Sequence, residues 1–149
     1  MNTKVAFFIV ALCAAQAAIG NELVITSEKA GRAQAAALDF VSDGSASALQ
    51  VRFRVPGETK VSVNTAKCTS GLPKTHSGEC RFDAAKGVVT VIIYSDTNAL
   101  LPAGVVSIGT ISVTDASGPL AISELLAFNA SAQEIKIGSQ GDSGVNVAK

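Results

Sequence analysis

Apolar and polar side chains alternate one by one along residues 48–55, and this pattern constrains the fold more than any other feature of the chain. The apolar positions are Leu49, Val51, Phe53 and Val55. The positions between them are Gln50, Arg52 and Arg54. A period of two is the side-chain spacing of a β-strand that buries one face and hydrates the other. Residues 48–55 are therefore predicted to form a strand with one wet, charged face.

Other segments also have the composition of strands. Val88–Tyr94 is a run of β-branched residues between turn formers, which predicts a central strand buried on both faces. Residues 105–113 predict another strand, with Gly109 as a bulge or a point of close approach. Val61 and Val63 continue the alternation after the Pro56-Gly57 turn. Shorter predicted strands are 23–26, 34–40, 79–83, 120–128, 134–137 and 145–148.

No segment shows a sustained helical period with caps. Short strands that recur along the chain are typical of β-sandwiches and jelly rolls. The predicted fold class is therefore all-β, with a single sandwich or jelly roll of about nine strands.

The first residues have the composition of a cleavable export signal. Lys4 supplies a positive charge, and residues 5–18 carry none. Ala18 and Gly20 place small side chains at the −3 and −1 positions of a cut before Asn21. This pattern predicts a signal peptide.

A membrane-spanning anchor is the rival interpretation of the same segment. Such an anchor needs about 20 apolar residues, whereas this stretch is shorter and is interrupted by Gln16. A cut after Ala17 is a second candidate. We predict that residues 1–20 are the signal and that residues 21–149 are one domain, secreted or periplasmic, with no membrane insertion after the signal is removed.

Two of the three cysteines remain once the signal, with Cys13, has been removed. Eleven residues lie between Cys68 and Cys80, in a segment with several turn formers. In an oxidising compartment these cysteines are predicted to form a disulfide. A metal site is the alternative, but it would need further Cys or His ligands, and the loop offers only His76.

The charge balance gives no sign of a nucleic-acid partner. The chain has 12 basic and 12 acidic residues and a formal net charge of zero. No segment concentrates basic side chains enough to attract a phosphate backbone.

The order of the predicted strands resembles the bacterial cohesin-like domain, a jelly-roll sandwich related to carbohydrate-binding modules. The segments that carry the resemblance are the alternating run 48–55, the β-branched run Val88–Tyr94, residues 104–114, residues 120–127 and the Gly-rich segment 141–147. The resemblance covers nearly the whole mature chain by pattern, without an invariant motif.

Two departures from the family limit what the resemblance implies. Cohesins usually have a Tyr-Asp-Pro-like turn after the alternating strand, and this chain has Val55-Pro56-Gly57-Glu58 there. The cysteine loop is not a general trait of the family. The resemblance therefore implies a fold and a protein-binding role, and it assigns no binding residue.

One motif resembles a catalytic segment. Gly141-Asp142-Ser143-Gly144 is similar to the nucleophile segment of chymotrypsin-like proteases, and His76, Asp96 and Ser143 follow the chain order of that triad. However, Val145 stands where the motif has Gly, and the mature chain is too short for the two-barrel fold. We predict that the chain is not an enzyme, that 141–144 is a turn, and that His76 is a solvated loop residue.

Two sets of side chains are candidates for a binding surface. The charged side of the alternating strand, formed by Gln50, Arg52 and Arg54, is a candidate protein-binding sheet face. Phe82 and Tyr94 are candidate exposed rings for a glycan. The remaining phenylalanines of the mature chain fall in apolar registers and are predicted to lie in the core: Phe40, Phe53 and Phe128.

No cofactor is predicted, although several side chains have the chemistry of calcium ligands. These are Asp96 and Asn98, with Asp39, Asp43 and Asp115 elsewhere. They lack the spacing of an EF-hand loop, and acidic residues at turns are more often turn formers.

The predicted function is that of a secreted, non-catalytic interaction module that binds a partner protein at the cell surface or in the periplasm. The alternative is a carbohydrate-binding module that assists polysaccharide degradation or adhesion, for which the aromatic side chains are few. A small hydrolase is a third hypothesis, and it would need a nucleophile paired with a base.

Overall fold

The structure is a computed structural model and describes residues 20–57 and 60–141. This part of the chain contains ten strands and no helix. The strands are β1 (Asn21–Ala30), β2 (Ala33–Ser42), β3 (Ala48–Arg54), β4 (Ser62–Asn64), β5 (Ser77–Asp83), β6 (Val88–Tyr94), β7 (Gly104–Thr114), β8 (Ala121–Phe128), β9 (Glu134–Ile135) and β10 (Ile137–Gly141).

The strands form two five-stranded sheets, with the orders β10-β1-β2-β7-β4 and β5-β6-β3-β8-β9. All pairs are antiparallel except β1 and β10, which are parallel. The predicted all-β sandwich is confirmed, with one strand more than expected. No helix in the described ranges is long and apolar enough to cross a membrane. The predicted signal peptide, apart from Gly20, and the predicted last strand (145–148) lie outside the described residues.

The core between the sheets follows from the alternation along each strand. On β3, Leu49, Val51 and Phe53 are buried. Arg52 and Arg54, which follow Val51 and Phe53, are exposed. This confirms the predicted strand with one buried and one wet face. The opposite sheet contributes buried side chains from β1, β2 and β7: Leu23, Ile25, Leu38, Phe40, Ile108 and Ile111.

The prediction that Val88–Tyr94 is buried on both faces is wrong. Val89, Val91 and Ile93 are buried, but Ile92 and Tyr94 on the other face are 40% and 36% exposed. The reason is that β6 lies in an antiparallel sheet with only one sheet packed against it, so its outer face meets solvent. A continuous β-branched run therefore places apolar side chains on the surface.

Gly109 confirms the predicted close approach. The β2–β7 ladder shifts register between Leu38 and Asp39, and Ile108 has no partner on β2. A Cβ atom at position 109 would lie 2.3 Å from the carbonyl oxygen of Lys67 and 2.4 Å from backbone atoms of Cys68. The absence of a side chain thus lets the loop before β5 pack directly on β7.

That loop continues the sheet along the edge of β7. Strand β4 pairs only with Ser112–Thr114. The loop forms backbone hydrogen bonds with the residues of β7 that precede them. Thr110 N–H donates to the Lys67 carbonyl at 2.9 Å, and Gly71 N–H donates to the Ile108 carbonyl at 2.9 Å. Strand β7 therefore has backbone partners well beyond the reach of β4.

A disulfide between Cys68 and Cys80 confirms the predicted pairing. Cys68 belongs to the loop on β7, and Cys80 lies in β5, the edge strand of the other sheet. Their Cα atoms are 6.5 Å apart. The disulfide therefore ties the two sheets together along one side of the sandwich.

The chain itself closes the opposite side. Ile135 in β9 pairs with Ala127 in β8, and Ile137 in β10 pairs with Asn21 in β1. A single residue, Lys136, separates β9 from β10. The chain thus crosses from one sheet to the other within one residue.

Replacing both cysteines by alanine (Cys68→Ala with Cys80→Ala) should lower the free energy of unfolding by about 3 kcal/mol, because a covalent loop of this length restricts the unfolded chain. Urea unfolding followed by circular dichroism measures this difference. Reduction of the wild type is the control and should reproduce most of the loss, with two additional alkylation labels per chain. A wild-type midpoint that does not respond to reductant would contradict the prediction.

Replacing Gly109 by alanine should destabilise the fold by about 1–3 kcal/mol, the usual cost of overpacking, because backbone atoms already occupy the space. Gly138→Ala is the matched control in β10, since the nearest atom to its Cβ is 4.0 Å away. Urea midpoints of the two variants give the comparison. Equal midpoints would show that the loop does not press on β7.

Candidate functional site

The charged side of β3 forms part of one broad surface. Gln50, Arg52 and Arg54 lie opposite Ile92, Thr90 and Val88 of β6 in the antiparallel register. Residues directly opposite in a pleated sheet share a face. We call the solvent side of the sheet β5-β6-β3-β8-β9 the outer face.

Tyr94 lies on the outer face and Phe82 does not. Tyr94 pairs with Ser77, whereas Phe82 pairs with the buried Val89 and packs, half-buried, against the core. The expectation that Phe82 is an exposed ring is therefore wrong. The period of two along β5 places Phe82 on the side of Cys80, which faces the opposite sheet. The two candidate rings consequently do not form one platform.

Glu124 joins the polar residues of β3. Its Oε2 accepts a hydrogen bond from Gln50 Nε2 at 2.9 Å and lies 3.1 Å from Arg52 Nε. The three side chains form a bridge from β3 to β8. The β3–β8 register shifts between Arg52 and Phe53, and this irregularity breaks the simple alternation along β8. For that reason the sequence pattern did not place Glu124 on the outer face.

An apolar patch lies beside this bridge. Its members are Ile92, Tyr94, Leu126 and Phe128. Leu126 is opposite Gln50 and Phe128 is opposite Ala48 in the β3–β8 ladder, and both are half-buried. The prediction that Phe128 is a core residue is wrong, because at its position in β8 the inward residue is the fully buried Ala127. Ala127 and Phe128 are both apolar, so hydrophobicity alone did not reveal which of the two points into the core.

A groove of about 290 Å³ borders the outer face at β8. One wall is formed by residues 122–126 and the other by residues 134–137, where the chain crosses between the sheets. It exists because β9 pairs with only two residues of β8, Ala127 and Phe128. The groove is continuous with the outer face at Glu124 and Leu126.

His76 is not solvated as predicted. It is 7% exposed, within the loop closed by the disulfide, and its Nδ1 lies 2.9 Å from the hydroxyl oxygen of Thr75. The Nε2 atom is buried and has no hydrogen-bond partner among the described residues. A base must lie within reach of a nucleophile to act on it. Ser143, the nucleophile of the catalytic hypothesis, lies outside the described residues.

The candidate calcium ligands have local partners. Asp39 accepts a hydrogen bond from Ser107 Oγ at 2.9 Å. Asp43 accepts hydrogen bonds from the side chain and the backbone of Ser45, which lower the pKa of its carboxyl group. Asp115 forms a bidentate ion pair with Arg32.

Asp96 and Asn98 lie in the turn after β6, where Asn98 has a φ of 55°. Residues such as asparagine tolerate this left-handed conformation better than others do, which agrees with a role in the turn. Across residues 20–57 and 60–141, no three His, Cys, Asp or Glu side chains come together as a metal site.

The arrangement as a whole is that of a broad surface with an apolar patch and a polar bridge.

No family model matches the sequence, and no curated protein matches it significantly. Solved structures, in contrast, match it clearly. A type I cohesin in a cohesin–dockerin complex from Clostridium thermocellum superimposes with a TM-score of 0.62 and 10% identity, over 82% of this chain and 90% of that one.

Two further structures agree. A non-cellulosomal cohesin from Archaeoglobus fulgidus gives a TM-score of 0.61 at 10% identity, over 82% of this chain and 88% of that one. A type II cohesin from Acetivibrio cellulolyticus, in a complex with an X-dockerin, gives 0.56 at 9% identity, over 81% and 95%. At this identity no binding residue is transferred. The chain has a cohesin-like β-sandwich fold.

Proposed function

We propose that the chain is an exported, non-catalytic interaction module that binds a partner protein through its outer face, at the cell surface or in the periplasm. The observation that carries the proposal is the apolar patch, where Ile92 and Tyr94 remain 40% and 36% exposed on a regular sheet. Exposed apolar side chains rimmed by polar ones are typical of protein-binding surfaces. The likeness to cohesins solved with dockerin partners supports the same role.

The construction of the outer face suits the binding of a rigid partner. Ile92 and Tyr94 stand on a strand whose other face is anchored in the core by Val89, Val91 and Ile93, so little backbone ordering is needed on association. The bridge of Gln50, Arg52 and Glu124 already holds its polar groups in place. Strand β6 has a strand partner on both sides, β5 and β3, which keeps the surface broad.

Export is supported by two independent features. The segment 1–20 has the composition of a signal peptide, and the Cys68–Cys80 disulfide is the kind of bond that persists in oxidising compartments. The β-sandwich of the described residues begins at Asn21, directly after the proposed cleavage point.

Carbohydrate binding, the alternative function, has weaker support. Glycan surfaces on β-sandwiches rely on aromatic platforms, and the outer face carries the single ring of Tyr94 together with the half-buried Phe128. Phe82 packs half-buried against the core and does not share the face of Tyr94. Binding of a polysaccharide abolished by Tyr94→Ala in affinity electrophoresis would favour this alternative.

Replacing Ile92 by aspartate should weaken capture of the partner at least about tenfold, because it places a charge in the centre of the apolar patch. The measurement compares proteins retained from the culture supernatant of the source organism by immobilised wild type and variant, with affinities by surface plasmon resonance. Val105→Asp is the matched control, since Val105 is 71% exposed on the other sheet. Equal retention by both variants would contradict the proposal.

A further inference from the structure

The charges of the outer face are unevenly distributed. Arg52 is neutralised by Glu124, with 3.1 Å between Nε and Oε2. Arg54 and Arg81 are exposed, and neither forms an ion pair with any described residue. They lie on β3 and β5, on either side of β6. These two guanidinium groups form what we call the basic end of the outer face.

A shallow depression of about 730 Å³ adjoins the basic end. Arg54 and Lys86 contribute its charged side chains, and its other walls come from residues 55–57, Val61, Phe82 and 84–87. None of the described residues that line it has a carboxylate. Lys86 contacts Asp83 at 3.7 Å, which leaves Arg54 as the cation of the depression that has no ion-pair partner among the described residues.

The basic end and the apolar patch lie at a defined separation. Ile92 is opposite Gln50, and Arg54 follows Gln50 by four residues on the same strand. At a rise of about 3.3 Å per residue, Arg54 is about 13 Å from Gln50 along β3. Arg81 is closer, because it follows the register partner of Ile92 on β5 by two residues, or about 7 Å. Glu79 lies on β5 directly opposite Ile92, so the nearest unpaired charge at the patch is negative. The outer face therefore carries a negative charge beside the apolar patch and positive charges at the basic end.

We propose that the partner bound by the outer face is a protein segment with an apolar anchor and one or more carboxylates about 7–13 Å from that anchor. The anchor packs on Ile92 and Tyr94, and the carboxylates contact Arg54 and Arg81. This inference rests on the proposed function and specifies the chemistry of the partner.

The same charges set the orientation of the bound segment. A segment placed in the reverse direction would leave Arg54 and Arg81 without partners. One direction of binding is therefore strongly favoured over the other.

The test uses a random linear peptide library displayed on phage, selected on the immobilised full-length mature chain. Enriched peptides should contain Asp or Glu in excess of the library, separated from an apolar residue. A selected peptide, made synthetically, should bind Arg54→Glu at least about tenfold more weakly than wild type. Lys29→Glu is the matched control, because it makes the same change of charge at an exposed position of the other sheet, and it should alter binding less than about twofold.

The outcomes separate this inference from the function on which it rests. Peptides that lose binding on Ile92→Asp, yet show no enrichment in acidic residues and bind Arg54→Glu normally, would overturn the acidic partner and leave the docking face intact. Peptides insensitive to Ile92→Asp, or a library without enriched sequences, would count against both. Enrichment in Lys or Arg would overturn the proposed polarity directly.

Discussion

A strand at the edge of a sheet carries backbone N–H and C=O groups that need partners, and it readily pairs with other chains when they have none. Strand β7 has eleven residues, and β4 covers three of them. The loop that contains Cys68 supplies further partners, and it packs on β7 because position 109 has no side chain. The disulfide holds this loop against β5. This closure joins the two sheets along one side, whereas the buried side chains of the core join them over their inner faces.

Closure of both sides of the sandwich also positions the outer face. The disulfide restrains β5, and the crossing at Lys136 restrains β8 through β9. Strands β6 and β3 lie between these restrained neighbours, with the alternation of their side chains set by the core. The apolar patch and the basic end are thereby held on a surface whose shape does not depend on the partner.

Much of the fold could be predicted from periodicity, and the errors have physical causes. The sequence was sufficient to predict the alternation along β3, the pairing of Cys68 with Cys80 and the close approach at Gly109. The prediction that Val88–Tyr94 is buried on both faces was wrong, because β-branched composition does not reveal how many sheets pack on a strand. Glu124 escaped notice because the irregular register of β8 obscures its direction. The burial of His76 depends on how the loop folds over it, which no local pattern encodes.

The parallel pairing of β10 with β1 has a consequence for how the chain acquires its structure. Asn21 and Ile137 are register partners, although nearly the whole domain separates them in sequence. Contacts between such distant residues slow folding, because a long loop must close before they form. Strand β1 therefore lacks its second neighbour until β10 has been synthesised. For the exported chain that we propose, completion of the sandwich would thus be a late event, after the chain has reached the far side of the membrane.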